Sequence, residues 1–214
     1  MIAGIARIGL AMFVVTVVVL HLLCPEIDPV AQGISYYALG KLGWLFTVSC
    51  LFLGFGTLAV ICALWRRCTT RSGSIGIALL FVWTAMLEVG AFFAIDAPGD
   101  APTFSGRIHG LAGSGFLLLP ASALLIEKSL SNTAQHRAIR KPGLILAYGV
   151  VAASILLVVF NGFLVSYGVD GMVQRAYWVT IVSCLFFLAG PQANLALEPE
   201  TASSDDGVRR HSNR

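Results

Sequence analysis

The chain has 214 residues, 57% of them hydrophobic and only 12% charged, with a formal net charge of +3 and a mean hydropathy of +0.83. Soluble domains carry roughly 25% charged residues, so a chain this poor in charge cannot cover a water-facing surface, and its small positive balance is no footprint for nucleic acid. Five scattered cysteines without a C-x-x-C pair (Cys24, Cys50, Cys62, Cys68, Cys184) argue against a disulfide framework or a structural zinc site. Of these, Cys50, Cys62 and Cys184 sit in apolar runs and read as packing residues.

Six apolar segments, about 5–23, 42–65, 74–95, 108–126, 143–165 and 176–196, match the ~20 helical residues that cross a ~30 Å hydrocarbon core. Helices satisfy their own backbone within the segment. A β-barrel would need alternation, and Phe13–Leu20 and Ile155–Phe160 are apolar on every side. The predicted fold is therefore all-α, a polytopic bundle of six transmembrane helices over residues 1–197, followed by a polar, disordered tail at 198–214. The first segment follows Arg7 as a signal peptide would. No small-x-small cleavage site follows it, however, and a bulky Leu23 precedes Cys24, so it reads as a retained span.

Eleven of the fourteen Lys and Arg fall at the end that holds the termini, the Arg66–Arg71 loop and the Lys128–Lys141 loop. The positive-inside rule makes that end cytoplasmic, with both termini inside, in the plasma membrane. His136 and His211 belong to these connectors and have no assigned role. The opposite end holds only Lys41, Arg107 and Arg175, with Glu26, Asp28, Asp96, Asp100 and Asp170. Its first loop, Cys24 to Lys41, is broken by Pro25 and Pro29, yet is too apolar for a free loop. The expectation is a lid folded back at the interface. In the third outer loop Gly168 and Gly171 turn the chain, and Gln174 and Arg175 open the last helix.

The second outer loop carries the densest polar cluster. Glu88 lies about two turns inside the third span, roughly 10 Å deep at 1.5 Å per residue, where a carboxylate is costly unless paired, protonated or facing a wet cavity. Helical spacing puts Asp96 on the same face. His109 enters the fourth span one turn after Ser105, a candidate N-cap, and a histidine near carboxylates suits acid–base or relay chemistry. Glu88, Asp96 and His109 are the candidate catalytic residues, with interhelical glue as the plainer alternative. Arg107 and Arg175, at helix starts, suit either an anionic group or plain pairing with Asp96, Asp100 or Asp170, and Asn161 offers another hydrogen bond. No metal site is expected: His21 and His109 are not joined by any H-x-x-x-H spacing. Pro120 predicts a kink in the fourth span.

The first-loop run I-D-P-V-A-Q-G-I-S, the F-x-x-D that closes the third span, the S-G-x-x-H entering the fourth and G-M-V-Q-R before the sixth together resemble the domain of unknown function family 998 over about residues 5–196. The resemblance implies a bacterial six-span membrane protein with Asp28, Ser35, Asp96, His109 and Arg175 facing outward, and implies no particular activity. The candidate binding residues are thus Asp28, Ser35, Arg107, Gln174 and Arg175. The expected partner is the lipid bilayer, with a lipid or amphiphile as candidate ligand. Cofactors, oligomeric state and enzyme status stay undetermined. Three functions are open: an outward pocket that binds or acts on an amphiphile, a small proton-coupled transporter with Glu88 as carrier, and a structural or accessory protein. Against transport, no acidic residue or histidine continues the path of Glu88 through the cytoplasmic half of a span.

Overall fold

The computed structural model describes residues 1–131, 139–159 and 161–190, with backbone only at 161 and 162. The tail at 198–214, His136 and His211, and the side chain of Asn161 lie outside the described residues. The order of elements is α1 (Ile2–Leu23), a 3₁₀ helix (Ile34–Leu39), α2 (Gly43–Leu64), α3 (Arg71–Phe92), α4 (Phe104–Gly113), a 3₁₀ turn (Ser114–Leu117), α5 (Leu118–Leu130), α6 (Arg140–Val159), α7 (Asn161–Ser166) and α8 (Asp170–Leu188). No strand occurs among the described residues. Six helices are long and apolar enough to cross a bilayer, α4 to α5 counting as one of 27 residues. The 22 residues of α1, α2 and α3 span about 33 Å at 1.5 Å per residue.

Five of the six spans begin three to six residues before the expected positions. In four of these the first turn is polar, as at Arg71-Ser72, Ser105-Arg107, Arg140-Lys141 and Asp170-Arg175, and hydropathy alone misses it. Capping shows the true starts. Thr70 accepts from Gly73 N at 3.1 Å, and Thr103 accepts from Gly106 N at 3.0 Å. Ser105 is not the cap of α4; its hydroxyl donates to Ala94 O at 2.9 Å instead. The fourth span also runs on past 126 to Leu130.

The hairpin pairs α1–α2, α3–α5 and α6–α8 pack most extensively, and contacts of α2 with α3, α5 with α6 and α8 with α1 close them into a ring. Small residues set the closest approach. A Cβ on Gly9 would stand 2.8 Å from Gly56 Cα, and one on Gly56 would stand 2.9 Å from Leu10 N, so two backbones are in contact there. Ser122 donates to Gly76 O at 2.8 Å across the α3–α5 seam. Arg7 Nε donates to Ala189 O at 3.1 Å, placing a cation on the carboxyl end of α8. Cys50 and Cys184 are buried as expected, whereas Cys62 is exposed on α2.

Pro120 acts one turn before itself. It has no N–H to give Phe116 O, and the helix tightens into the 3₁₀ turn at 114–117. Tyr177 OH donates to that carbonyl over 3.5 Å. The first loop folds down as a lid, with Ile34 and Tyr37 only 3% and 1% exposed.

Candidate functional site

At the lid end, the carboxyl terminus of α3 leaves carbonyls that no helical N–H can reach. Side chains from other elements take them. His109 Nδ1 lies 2.9 Å from Gly90 O and 2.8 Å from Phe93 O, and Thr47 donates to Ala91 O at 3.0 Å. Two carbonyl partners require a proton on Nδ1, so in the neutral ring His109 Nε2 is an acceptor, with no partner among the described residues. The helix therefore ends at Phe92, and Glu88 sits about one turn from its end rather than two. Asp96 lies beyond the helix, so it does not share a face with Glu88. Its Oδ1 accepts from Thr103 Oγ1 at 2.6 Å and its Oδ2 from Thr103 N at 3.2 Å, tying the turn that presents α4.

Glu88 points at α2. A Cβ on Gly54 would overlap its Oε1, and both carboxyl oxygens are buried without a hydrogen-bond partner among the described residues. Arg107 is exposed on α4, and its side chain has no partner among the described residues. Asp28 Oδ1 accepts from Val30 N at 2.8 Å and shapes the lid locally.

Arg175 holds the lid. Its Nε donates to His21 Nε2 at 2.7 Å, and its Nη1 donates to Pro29 O at 2.7 Å, Gln32 O at 2.5 Å and Gly171 O at 3.0 Å. His21 Nδ1 is 2.7 Å from Val17 O, which fixes its proton on Nδ1 and leaves Nε2 free to accept. Gln174 Oε1 accepts from Ile34 N at 2.6 Å, and Met172 N donates to Val30 O at 2.9 Å. Gly171 does not turn the chain. It lies within α8, where a Cβ would strike the backbone of Gln32, while Gly168, at φ +64, makes the turn. Burial and the nearby Asp170 carboxylate push the Tyr36 phenol up.

Under the lid, between α2, α3, α4, α6 and α8, lies a cavity of about 500 Å³. Its wall is largely apolar, with Phe46, Phe116 and Trp178 among its residues, and Ser35, His109 and Gln174 supply polar groups. The Ser35 hydroxyl, the Gln174 amide nitrogen and His109 Nε2 each have hydrogen-bonding capacity that no described residue uses. Such a volume is within the roughly 300–1,000 Å³ range of small-ligand sites, and a few convergent polar groups on an apolar wall is their usual make-up. Of the candidates, the structure thus brings Ser35, His109 and Gln174 together. It sets Arg175 at the lid seam and keeps Glu88, Asp96, Asp28 and Arg107 out of the cavity wall.

Sequence reasoning missed two things here. Trp178 and Phe116 carry no signal that separates a cavity wall from lipid-facing surface. Glu127, by contrast, was one residue beyond the expected end of the fourth span. It is inside α5 and 2% exposed, and a Cβ on Gly143 of α6 would be 2.6 Å from both of its carboxyl oxygens. A buried carboxylate does therefore occupy the half of the bundle opposite Glu88, contrary to the expectation. Close by, in the α2–α3 loop, burial pushes the Cys68 thiol up, aided by the Glu127 charge and opposed by Ser129 and Arg67. Among the described residues no three His, Cys, Asp or Glu converge as metal ligands would.

A family model described as protein of unknown function (DUF998) matches residues 7–191. No curated protein and no solved structure matches the chain.

Proposed function

The chain belongs to the DUF998 family of proteins of unknown function and is a multi-pass membrane protein, and from that premise we propose that its lid-end cavity faces out of the cell and binds a lipid or other amphiphile. The cavity carries the reading. Its apolar wall suits a hydrocarbon chain, and Ser35, Gln174 and His109 offer a donor-acceptor, a donor and an acceptor to the polar end. The excess of Lys and Arg at the other end supports an outward orientation and cytoplasmic termini. If the bound amphiphile is also transformed, His109 Nε2 is the base, held in its tautomer by Gly90 O and Phe93 O. Asp96 then enters as a positioning residue, through the turn it ties to Thr103.

Gly113 allows a clean test, because it lines the cavity and a Cβ there meets nothing within 4 Å. Gly113→Leu is expected to cut the amphiphile that copurifies with the protein by about tenfold, read by native mass spectrometry, at an unchanged melting temperature. Equal occupancy in the filled variant would sink the cavity reading. His109→Ala should keep binding and lose any turnover.

A second reading, proton-coupled transport, is favoured by Glu127, which puts a buried carboxylate in the half of the bundle that Glu88 does not reach. In proteoliposomes, Glu88→Gln should then abolish proton-coupled uptake. Uptake that persists in that variant eliminates Glu88 as the carrier.

A further inference from the structure

A second, separate hollow runs along the seam between α1 and α8, with a volume of about 410 Å³. Val14 and Val18 from α1 and Val179 from α8 line it and are 41%, 51% and 67% exposed, so it opens sideways from the bundle. His21 and Arg175 line its lid end. Ile34 and Trp178 line both this groove and the cavity under the lid, and so form the partition between them.

Two observations say what this seam admits. Arg175 keeps an uncompensated charge: its acceptors are three carbonyls, the neutral nitrogen of His21 and, at 3.5 Å, the Tyr37 hydroxyl. No carboxylate pairs with it among the described residues. A cation at the lid end of an apolar groove is complementary to an anionic head with its chain in the groove. The volume would take roughly fourteen methylenes if each fills about the ~30 Å³ of a water molecule, which is one chain and not two.

Trp178 is suited to move. Its ring is packed by Phe13, Phe116 and Tyr177 at centroid distances of 5.7, 6.0 and 5.8 Å. Its buried indole N–H has no hydrogen-bond partner among the described residues, so no polar tether from them fixes the rotamer. A swing of the indole would join groove and cavity and offer the N–H an oxygen on the passing molecule.

We propose that the α1–α8 seam is the lateral gate by which a single-chain anionic amphiphile passes from the bilayer into the cavity, with Trp178 as the movable partition. This rests on the cavity being an amphiphile site. The test uses a palmitic acid analogue bearing a diazirine, its methyl ester, and a diazirine phosphatidylcholine, each photolysed with the full-length protein in nanodiscs and mapped by peptide mass spectrometry. The acid is expected to label α1–α8 peptides and also the cavity peptides of α3 and α4. Val179→Trp, which plugs the exposed groove, should lower cavity labelling about tenfold at an unchanged melting temperature. If cavity labelling by the acid is unaffected by Val179→Trp, the gate is overturned while the cavity reading stands. Equal labelling by the methyl ester overturns the anionic head, and equal labelling by the phosphatidylcholine overturns the single chain. Absence of cavity labelling with every probe overturns both the gate and the amphiphile site.

Discussion

Arg175→Ala is expected to destabilise the protein by about 3–4 kcal/mol, the largest effect of any single side-chain truncation at the lid end. The side chain makes four hydrogen bonds of 3.0 Å or less, and it links α8 to α1 through His21 and to the lid through Pro29 and Gln32. Hydrogen bonds to a charged group contribute roughly 1.5–3 kcal/mol each, although bonds sharing one guanidinium do not add. Truncation also strands the part-buried Gln32 carbonyl, and a buried backbone group is costly to leave unpaired. Arg175→Lys should recover less than half of the loss, because a single ammonium cannot reproduce a fork that donates through Nε and Nη1 in different directions. Thermal or denaturant unfolding in mixed micelles measures both variants. An alanine variant as stable as the parent would show that the lid is held by its buried apolar side chains, Ile34 and Tyr37, instead.

Gly56→Leu is the second large expected effect, at 3 kcal/mol or more, in practice a protein that fails to accumulate in the membrane (about the upper end of overpacking costs). A Cβ at this position would meet Leu10 N at 2.9 Å, Ala6 O at 3.1 Å and Gly9 C at 3.2 Å. All three are backbone atoms, so no side-chain rotation relieves the contact. The helices would have to move apart along the α1–α2 seam, the most extensive in the bundle. In a bilayer that seam depends on close packing, since lipid chains compete for apolar surface as well as leucine does. Gly56→Ala should cost about 2 kcal/mol by the same contact. Gly4→Ala is the control within α1: its Cβ meets nothing within 4 Å, and it should be neutral or stabilising by up to about 1 kcal/mol. Expression and unfolding midpoints of the three variants give the comparison. Wild-type accumulation of Gly56→Leu would rule out backbone contact as the basis of the hairpin.

The candidate polar residues were legible as a group but not as a site. Glu88, Asp96 and His109 lie close together in the sequence, and the helical spacing that placed Glu88 and Asp96 on one face held only while the helix continued. The helix stops at Phe92 because the carbonyls at its end are taken by His109 of α4 and Thr47 of α2. Asp96 consequently binds Thr103, and His109 alone of the three reaches the cavity. Arg175 was expected either to clamp an anion or to pair with a nearby carboxylate. Four of its donor contacts instead go to neutral lid and helix groups, which leaves the charge but not the free fork.

The amino-acid sequence by itself determined the all-helical class, the number of spans and the end at which basic residues gather. These depend on local quantities: the length of an apolar run, the closure of backbone hydrogen bonds within it, and the count of charges between runs. Only the tertiary structure decided which residues face one another. In a bilayer a helix is apolar on its core face and on its lipid face alike, so the pattern that marks the buried side of a soluble helix is missing. Trp83 is 2% exposed and Trp44 63%, yet both are tryptophans in apolar helices. The cavity under the lid, the Trp178 partition, the burial of Glu127 against Gly143 and the contact of Gly9 with Gly56 all arise from how the helices meet, and no local property of the chain encodes that.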